Sequence, residues 1–229
     1  MLVFEQVKTK LNLKKIIYLM LWLLILLIGS SKSIFAQEEK ENFIISLHSI
    51  YTVTATGKTL VEQKFTIKNK TPELFVSKYG IAVSSTNLDN INVSHNGKKL
   101  DPEIDKQKGQ TKINVTFTDK VIGEGKINEL LISYTDQDLA LISGKILEIN
   151  IPELAQHDQY QNYQLELRVP SIFDAPSRIN PSNFSLKQEG DYNIISYHDL
   201  KNQSVSAIFG NEQVFDLKLN YYLNNQTSQ

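Results

Sequence analysis

Four histidines, His48, His95, His157 and His198, are the only imidazoles in a chain of 229 residues that contains no cysteine. Acid–base and nucleophilic chemistry near neutral pH draws first on these two residue types. The histidines and their neighbours therefore bound the reactions to be expected. None of the four stands at i, i+4 or in an HxH arrangement, the spacings that would aim two nitrogens at one ion, so no metal site is expected. His157-Asp158 and His198-Asp199 have the composition of a base and its orienting carboxylate. Adjacent residues of a strand point to opposite faces, so neither pair works as a unit there, and both are expected to be loop polarity. Asp136-Gln137-Asp138 could lend oxygens to calcium, but two acids fall short of the roughly six to eight ligands that ion takes. Glu38, Glu39 and Glu41, and Asp136 and Asp138 with them, are expected to be solvated surface. Neither a G-x-S-x-G elbow nor an S-x-x-K motif occurs. No catalytic, cofactor-binding or metal-ligating residue is assigned, and no cofactor is expected.

The elements that would have to position any site read as strands. In 43–69, Ile45, Leu47, Tyr51, Val53 and Ala55 share one parity and Ser46, His48, Thr52 and Thr54 the other, the period of a half-buried strand. Thr56-Gly57-Lys58 interrupts this pattern, and Val61, Phe65 and Ile67 resume it, which predicts a hairpin. Thr71-Pro72 ends the second strand. Segments 74–85 and 88–95 follow, closed by Asn96-Gly97, a dipeptide whose two residues tolerate the positive φ of a tight hairpin turn. Residues 101–110 (DPEIDKQKGQ) read as a charged loop. Alternation returns at 113–117, 127–134 and 145–151, giving seven or eight short strands before residue 152. No segment sustains a helical repeat, and the aromatic residues fall mostly on the inner parity.

Residues 152–162 (PELAQHDQYQN) lack alternation and read as a linker. Beyond them, Tyr163, Leu165, Leu167 and Val169 alternate with Gln164, Glu166 and Arg168. Pro170, Pro176 and Pro181 frame an irregular connection, and strands are expected at 184–187, 192–198, 204–209 and 214–223, with a Gly190-Asp191 turn. The expected fold class is all-β: an antiparallel β-sandwich, immunoglobulin-like, as two tandem sandwiches over 37–152 and 163–225, with a linker at 153–162, a tail at 226–229 and a hydrophobic helix in front. A single core shared by both halves is the open alternative.

That helix is 16–28 (IIYLMLWLLILLI), without a charge. Thirteen helical residues cover about 20 Å, short of a hydrocarbon core of about 30 Å. Lys8, Lys10, Lys14 and Lys15 precede it against the single acid Glu5, and GSSKSIFA follows, with Ala36 placed for cleavage. Residues 1–36 thus read as a signal peptide, or, left uncleaved, as an anchor that holds the chain to the membrane through 16–33. In either case the body is expected outside the cytoplasm. A net charge of −1 gives no basic excess for nucleic acid. Asn-x-Ser/Thr sequons begin at Asn69, Asn92, Asn114, Asn183, Asn202 and Asn225, and they matter only in a host that glycosylates asparagine.

Five stretches carry a family likeness: FIISLHSIYTVTATGKTLVEQKFTIKN (43–69), GKINELLISYTD (125–136), GKILEINIP (144–152), YQLELRVPSIF (163–173) and SVSAIFGNEQVFDLKLNYYLNN (204–225). Their order resembles the N-terminal extracytoplasmic β-rich region of bacterial transglutaminase-like surface proteins. The resemblance implies an exported, non-enzymatic β module that serves as a spacer or interaction platform, with cell-wall or envelope proteins as partners. In that family a papain-like domain with cysteine, histidine and aspartate follows. A chain without cysteine offers no counterpart to its nucleophile, so no catalytic residue is carried over. The alternatives are a surface adhesin or glycan binder, and an envelope hydrolase, which a histidine buried beside a carboxylate and a hydroxyl would favour.

Overall fold

The structure, a computed structural model, describes residues 42–200 and 202–210. The leader at 1–36, the acids at 38–41, the strand expected at 214–223, Asn225 and the tail at 226–229 lie outside the described residues. Within them the chain is all-β, with fifteen strands: β1 (Phe43–Val53), β2 (Thr59–Asn69), β3 (Lys78–Val83), β4 (Leu88–His95), β5 (Lys98–Leu100), β6 (Glu103–Gln107), β7 (Gln110–Thr116), β8 (Ile127–Asp136), β9 (Ala140–Ser143), β10 (Ile146–Ile151), β11 (Tyr160–Pro170), β12 (Pro176–Asn180), β13 (Ser185–Glu189), β14 (Tyr192–His198) and β15 (Val205–Phe209). Among the described residues no helix is long and apolar enough to cross a membrane.

The strands form three sheets. The largest has eight strands in the order β13-β14-β11-β1-β2-β8-β4-β5, and sheets of four (β12-β15-β10-β9) and three (β3-β7-β6) accompany it. β1 and β2 make the expected hairpin, with Gly57 at φ 87° in its turn. Asn96 and Gly97 both adopt positive φ between β4 and β5, the conformation the dipeptide predicts. Alternation is strict where one face is buried. Thr59, Val61, Gln63, Phe65, Ile67 and Asn69 of β2 all face inward, and so do Asn128, Leu130, Ile132, Tyr134 and Asp136 of β8.

The expected division into two tandem sandwiches needs correction. β11, which follows the proposed linker, pairs in parallel with β1 at the start of the described chain, from Ser46–Asn162 to Thr52–Arg168. β15 is likewise flanked by β10 from one half and β12 from the other. The described residues fall in one compact unit, and inward residues of all three sheets belong to one hydrophobic cluster that includes Phe65, Ile113, Leu130, Ile149, Leu165 and Phe209. The parallel pair is the one departure from antiparallel pairing among the strand pairs described. It arises because β11 returns beside β1 through a long connection rather than a hairpin.

Three local expectations also change. Residues 101–110 hold β6 rather than a loop. All five of its residues are exposed at a sheet edge, so it lacks the apolar parity by which a strand is recognised. The irregular connection after Pro170 contains β12. Ten strands, not seven or eight, precede Pro152.

Candidate functional site

One end of the inner face of the large sheet is polar. Register places Ser49 of β1 opposite Gln63 of β2, and Tyr51 opposite Val61, which in turn faces Tyr134 of β8. One step further, Thr59 pairs with Asp136. All six polar side chains share the buried parity, with Ser49 and Asp136 fully enclosed and Gln63 only 7% exposed. Such positions normally hold aliphatic residues, as Ile132, Leu165 and Leu167 do on the same sheet.

Burial governs the electrostatics here. It pushes the Tyr51 phenol up to about 12, against the opposing influence of the nearby Tyr163, Gln63 and Ser49 side chains. Tyr134 and Tyr163 are held well above the ordinary tyrosine range by the same desolvation. These phenols are therefore neutral groups that give and take hydrogen bonds, not nucleophiles. Desolvation also raises Asp136, opposed by the backbone amide of Asp138 and the Ser85 hydroxyl, with the charge of Asp138 adding to the rise. Asp136 Oδ1 accepts from the Asp138 amide at 2.9 Å and from Ser85 Oγ at 3.2 Å. Its Oδ2 has no protein partner, nor do Gln63 Oε1, Thr59 Oγ1 and Ser49 Oγ, the last lying near the Tyr51 and Tyr163 hydroxyls but outside bonding geometry. Each buried orphan costs about 1–3 kcal/mol unless something else satisfies it.

Of these residues, Gln63, Tyr51, Tyr134 and Asp136 border space between the sheets. A cavity of about 280 Å³ lies between Leu47, Gln63 and Phe65 of the large sheet, Gly80–Ala82 of β3, and the segment 154–160. A smaller one of about 80 Å³ is bounded by Tyr51, Tyr134 and Asp136 and shares Gln63, Ala82, Leu154 and Ala155 with the first. The two cavities adjoin at these four residues and make up the recess on this face of the sheet. Tyr160 of β11 lines the larger cavity; its hydroxyl lies 3.3 Å from that of Tyr79 on β3, whose ring is 5.1 Å from Phe65. The segment expected to be a linker is thus a wall of the recess. It contains a single 3-10 turn, His157–Gln159, entered through Gln156 in left-handed conformation.

The histidines are dispersed. His48 and His198 lie on the outer face of the large sheet, each beside Gln164 in register. His95 is buried, stacked on Phe117 at 4.4 Å with its Nε2 2.8 Å from Asn128 Oδ1. His157 and Asp158 do meet, at 3.0 Å, because they occupy a 3-10 turn and not a strand, but the Asp158 side chain is 93% exposed. Asp138 accepts from the Asn87 side chain, and Gln137 reaches Asp89. Among the described residues no group of three or more His, Cys, Asp or Glu could hold a metal ion. Of the sequons, Asn92, Asn114, Asn183 and Asn202 are exposed. Asn69 is buried, its side chain bonded to Leu74 and Thr71.

The polar recess has no counterpart among the sequence expectations. Gln63 and Tyr51 occupy inward positions of a recognisable hairpin, and a glutamine on the apolar parity of a strand is the signal that marks them. Asp136, expected with Asp138 to be solvated surface, is instead fully enclosed, because it falls on the inward parity of β8.

No protein-family model matches the chain, and no curated protein does. Solved structures with partial likeness include a Legionella pneumophila protein described as nutrient binding (TM-score 0.42, 12% identity, covering 74% of this chain and 67% of that one). Others are the M1 zinc metallopeptidase of Deinococcus radiodurans (0.41, 11%, 74% and 42%) and yeast LTA4 hydrolase (0.46, 12%, 74% and 29%). The chain spans less than half the length of either enzyme. At these scores no property of those proteins transfers to this chain.

Proposed function

We propose that the chain is an exported, non-catalytic β-sandwich module that acts as an interaction platform or spacer at the cell envelope, the role implied by its resemblance to the region preceding transglutaminase-like domains. In this reading residues 1–36 direct export, with 16–33 as a membrane anchor if they are retained. The partners are cell-wall or envelope proteins.

The observation that carries the reading is the outer face of the large sheet. On β2 and β8 that face presents Leu60, Lys64, Lys68, Ile127, Glu129 and Leu131 to solvent. Leu60 and Leu131 are 41% and 39% exposed, and Lys64 pairs with Glu129 at 3.0 Å. A broad sheet face with apolar residues among paired charges has the composition of a docking surface rather than of a reaction centre. The arrangement that would favour a hydrolase, an imidazole buried beside both a carboxylate and a hydroxyl, is not formed by His157 or His198.

The test uses the chain purified after export and added to isolated envelopes of its host. Sedimentation with the envelopes is expected for the unaltered protein and is expected to fall at least severalfold in the double variant Leu60→Lys, Leu131→Lys, with unchanged circular dichroism. Equal sedimentation of the two proteins, or none by either, would contradict the reading.

A further inference from the structure

We propose that the open edge of β3 is a docking site for an extended segment of another protein, which adds a strand to the small sheet and whose side chains alternate between apolar and acidic. The groove lies on the inner side of the large sheet, apart from the face invoked above, and its occupation does not depend on that face binding anything.

Hydrogen-bond parity shows what the edge offers. The Phe117 amide donates to the Ser77 carbonyl at 2.9 Å, and β3 and β7 continue from that pair in antiparallel register, with Tyr79 opposite Val115 and Ile81 opposite Ile113. Bonded pairs alternate with unbonded ones in such a ladder, so Lys78, Gly80 and Ala82 turn their N–H and C=O groups away from β7. β3 has no strand on that side, and among the described residues no other backbone bond reaches Gly80 or Ala82. Both residues are exposed. Their main-chain groups are an unused half-ladder, the template on which another strand pairs. The other edge of the same sheet is guarded: β6 carries Glu103, Asp105 and Lys106, all exposed, the kind of charges that keep edges from pairing.

Space follows the open edge. The cavity of about 280 Å³ borders Gly80–Ala82 and that of about 80 Å³ borders Ala82–Ser84, so the room is elongated along the strand, as an extended segment requires. Segment 154–160 forms the opposite wall. The inner side of the groove is apolar, with Ile81 and Leu154 half-buried there over the buried Leu47 and Phe65. Its outer side is cationic. Lys112, directly across from Ala82 on β7, lines the larger cavity, and Lys78 shares the outward parity of Gly80 and Ala82. Lys112 makes no ion pair among the described residues; Asp105, its neighbour on β6, accepts from Gln107 at 2.7 Å. The carboxylates that border the recess are Asp136, which is enclosed, and Glu153, which meets only the smaller cavity. A strand laid on β3 turns alternate side chains to these two sides, so apolar residues match the inner parity and acidic residues the outer.

The test titrates the full chain with the peptide acetyl-VEVEV-amide at neutral pH and follows binding by calorimetry; five extended residues cover about 17 Å, close to the length of β3. Binding is expected. Ala82→Pro removes an N–H aimed at the peptide without breaking a bond to β7, a change that an edge strand tolerates. It should weaken binding at least about fivefold, the loss that goes with one main-chain hydrogen bond, whereas Ala82→Val, which keeps the N–H, should bind like the unaltered chain. Acetyl-VKVKV-amide should bind more weakly than acetyl-VEVEV-amide, and Lys112→Glu should reverse that order. Should Ala82→Pro fail to fold, acetyl-VEVEV-amide N-methylated at every residue decides with the unaltered chain: it has no N–H to pair and should not bind. No binding of acetyl-VEVEV-amide, equal binding by Ala82→Pro and Ala82→Val, retained binding of the N-methylated peptide, or acetyl-VKVKV-amide binding as tightly as acetyl-VEVEV-amide would each overturn the proposal. So would self-association of the chain that Ala82→Pro abolishes, because a second copy would then be the occupant.

Discussion

Two buried polar clusters sit on the inner face of the same sheet and differ in what lies over them. At the β4–β8 end, His95 and Asn128 bond to one another beneath the Phe117 ring, which stacks on the imidazole at an interplanar angle of 18°. At the other end Tyr51, Gln63, Tyr134 and Asp136 border open space between the sheets. Both clusters contain orphaned atoms: His95 Nδ1 and Asn128 Nδ2 in the first, Gln63 Oε1 and Asp136 Oδ2 in the second. The first is roofed by an aromatic ring, so its polarity fixes pairing. Asn96, next in the chain, bonds through both backbone and side chain to Glu129 and holds the β4 turn against β8. The second has no aromatic roof, and its side chains line the smaller cavity. Burial alone does not distinguish a sealed polar cluster from one that borders a cavity; what covers it does.

The contrast can be broken by substitution. Phe117→Ala removes the roof of the first cluster and is expected to cost about 3–5 kcal/mol in denaturant unfolding; a loss below about 1 kcal/mol would mean that the ring seals nothing. His95→Ala leaves Asn128 Oδ1 without its partner and should cost about 2 kcal/mol. Gln63→Leu, equally buried but facing the recess, removes an unsatisfied acceptor and should change stability by less than about 1 kcal/mol in either direction. A loss as large as that of His95→Ala would place Gln63 in the same class as the sealed histidine. Lys64→Ala on the outer face, which breaks an exposed ion pair, should shift stability by no more than about 0.5 kcal/mol, measured in the same titrations.

The alternating patterns identified most strands, because a half-buried strand writes its burial into every second residue. β2 and β11 are the clearest instances, and Asn96-Gly97 named its own turn. Pairing between distant strands left no such trace. Nothing local in 43–53 or 160–170 indicates that these segments lie side by side in parallel, and without that pair the polar stretch between Pro152 and Asn162 reads as a boundary. β6 was hidden for the opposite reason: an edge strand exposed on both faces carries no alternation. The recess was hidden because it is made by tertiary juxtaposition, with Gln63, Ala82, Asp136 and Leu154 scattered over more than ninety positions.

The claim underlying this account is that Asp136 is a desolvated carboxyl, satisfied at one oxygen only, at the edge of the recess. Because burial raises its folded-state pKa above the ordinary value of 3.8, it binds its proton more tightly when folded, and its contribution to stability is present at low pH and lost as pH rises through the raised value. The direct measurement is unfolding free energy against pH for the wild-type protein and Asp136→Asn. The account predicts that the variant gains on the wild type steadily as pH rises from about 4 toward neutrality, the window that opens when a folded carboxyl titrates above its unfolded value. Parallel curves across that range would contradict it.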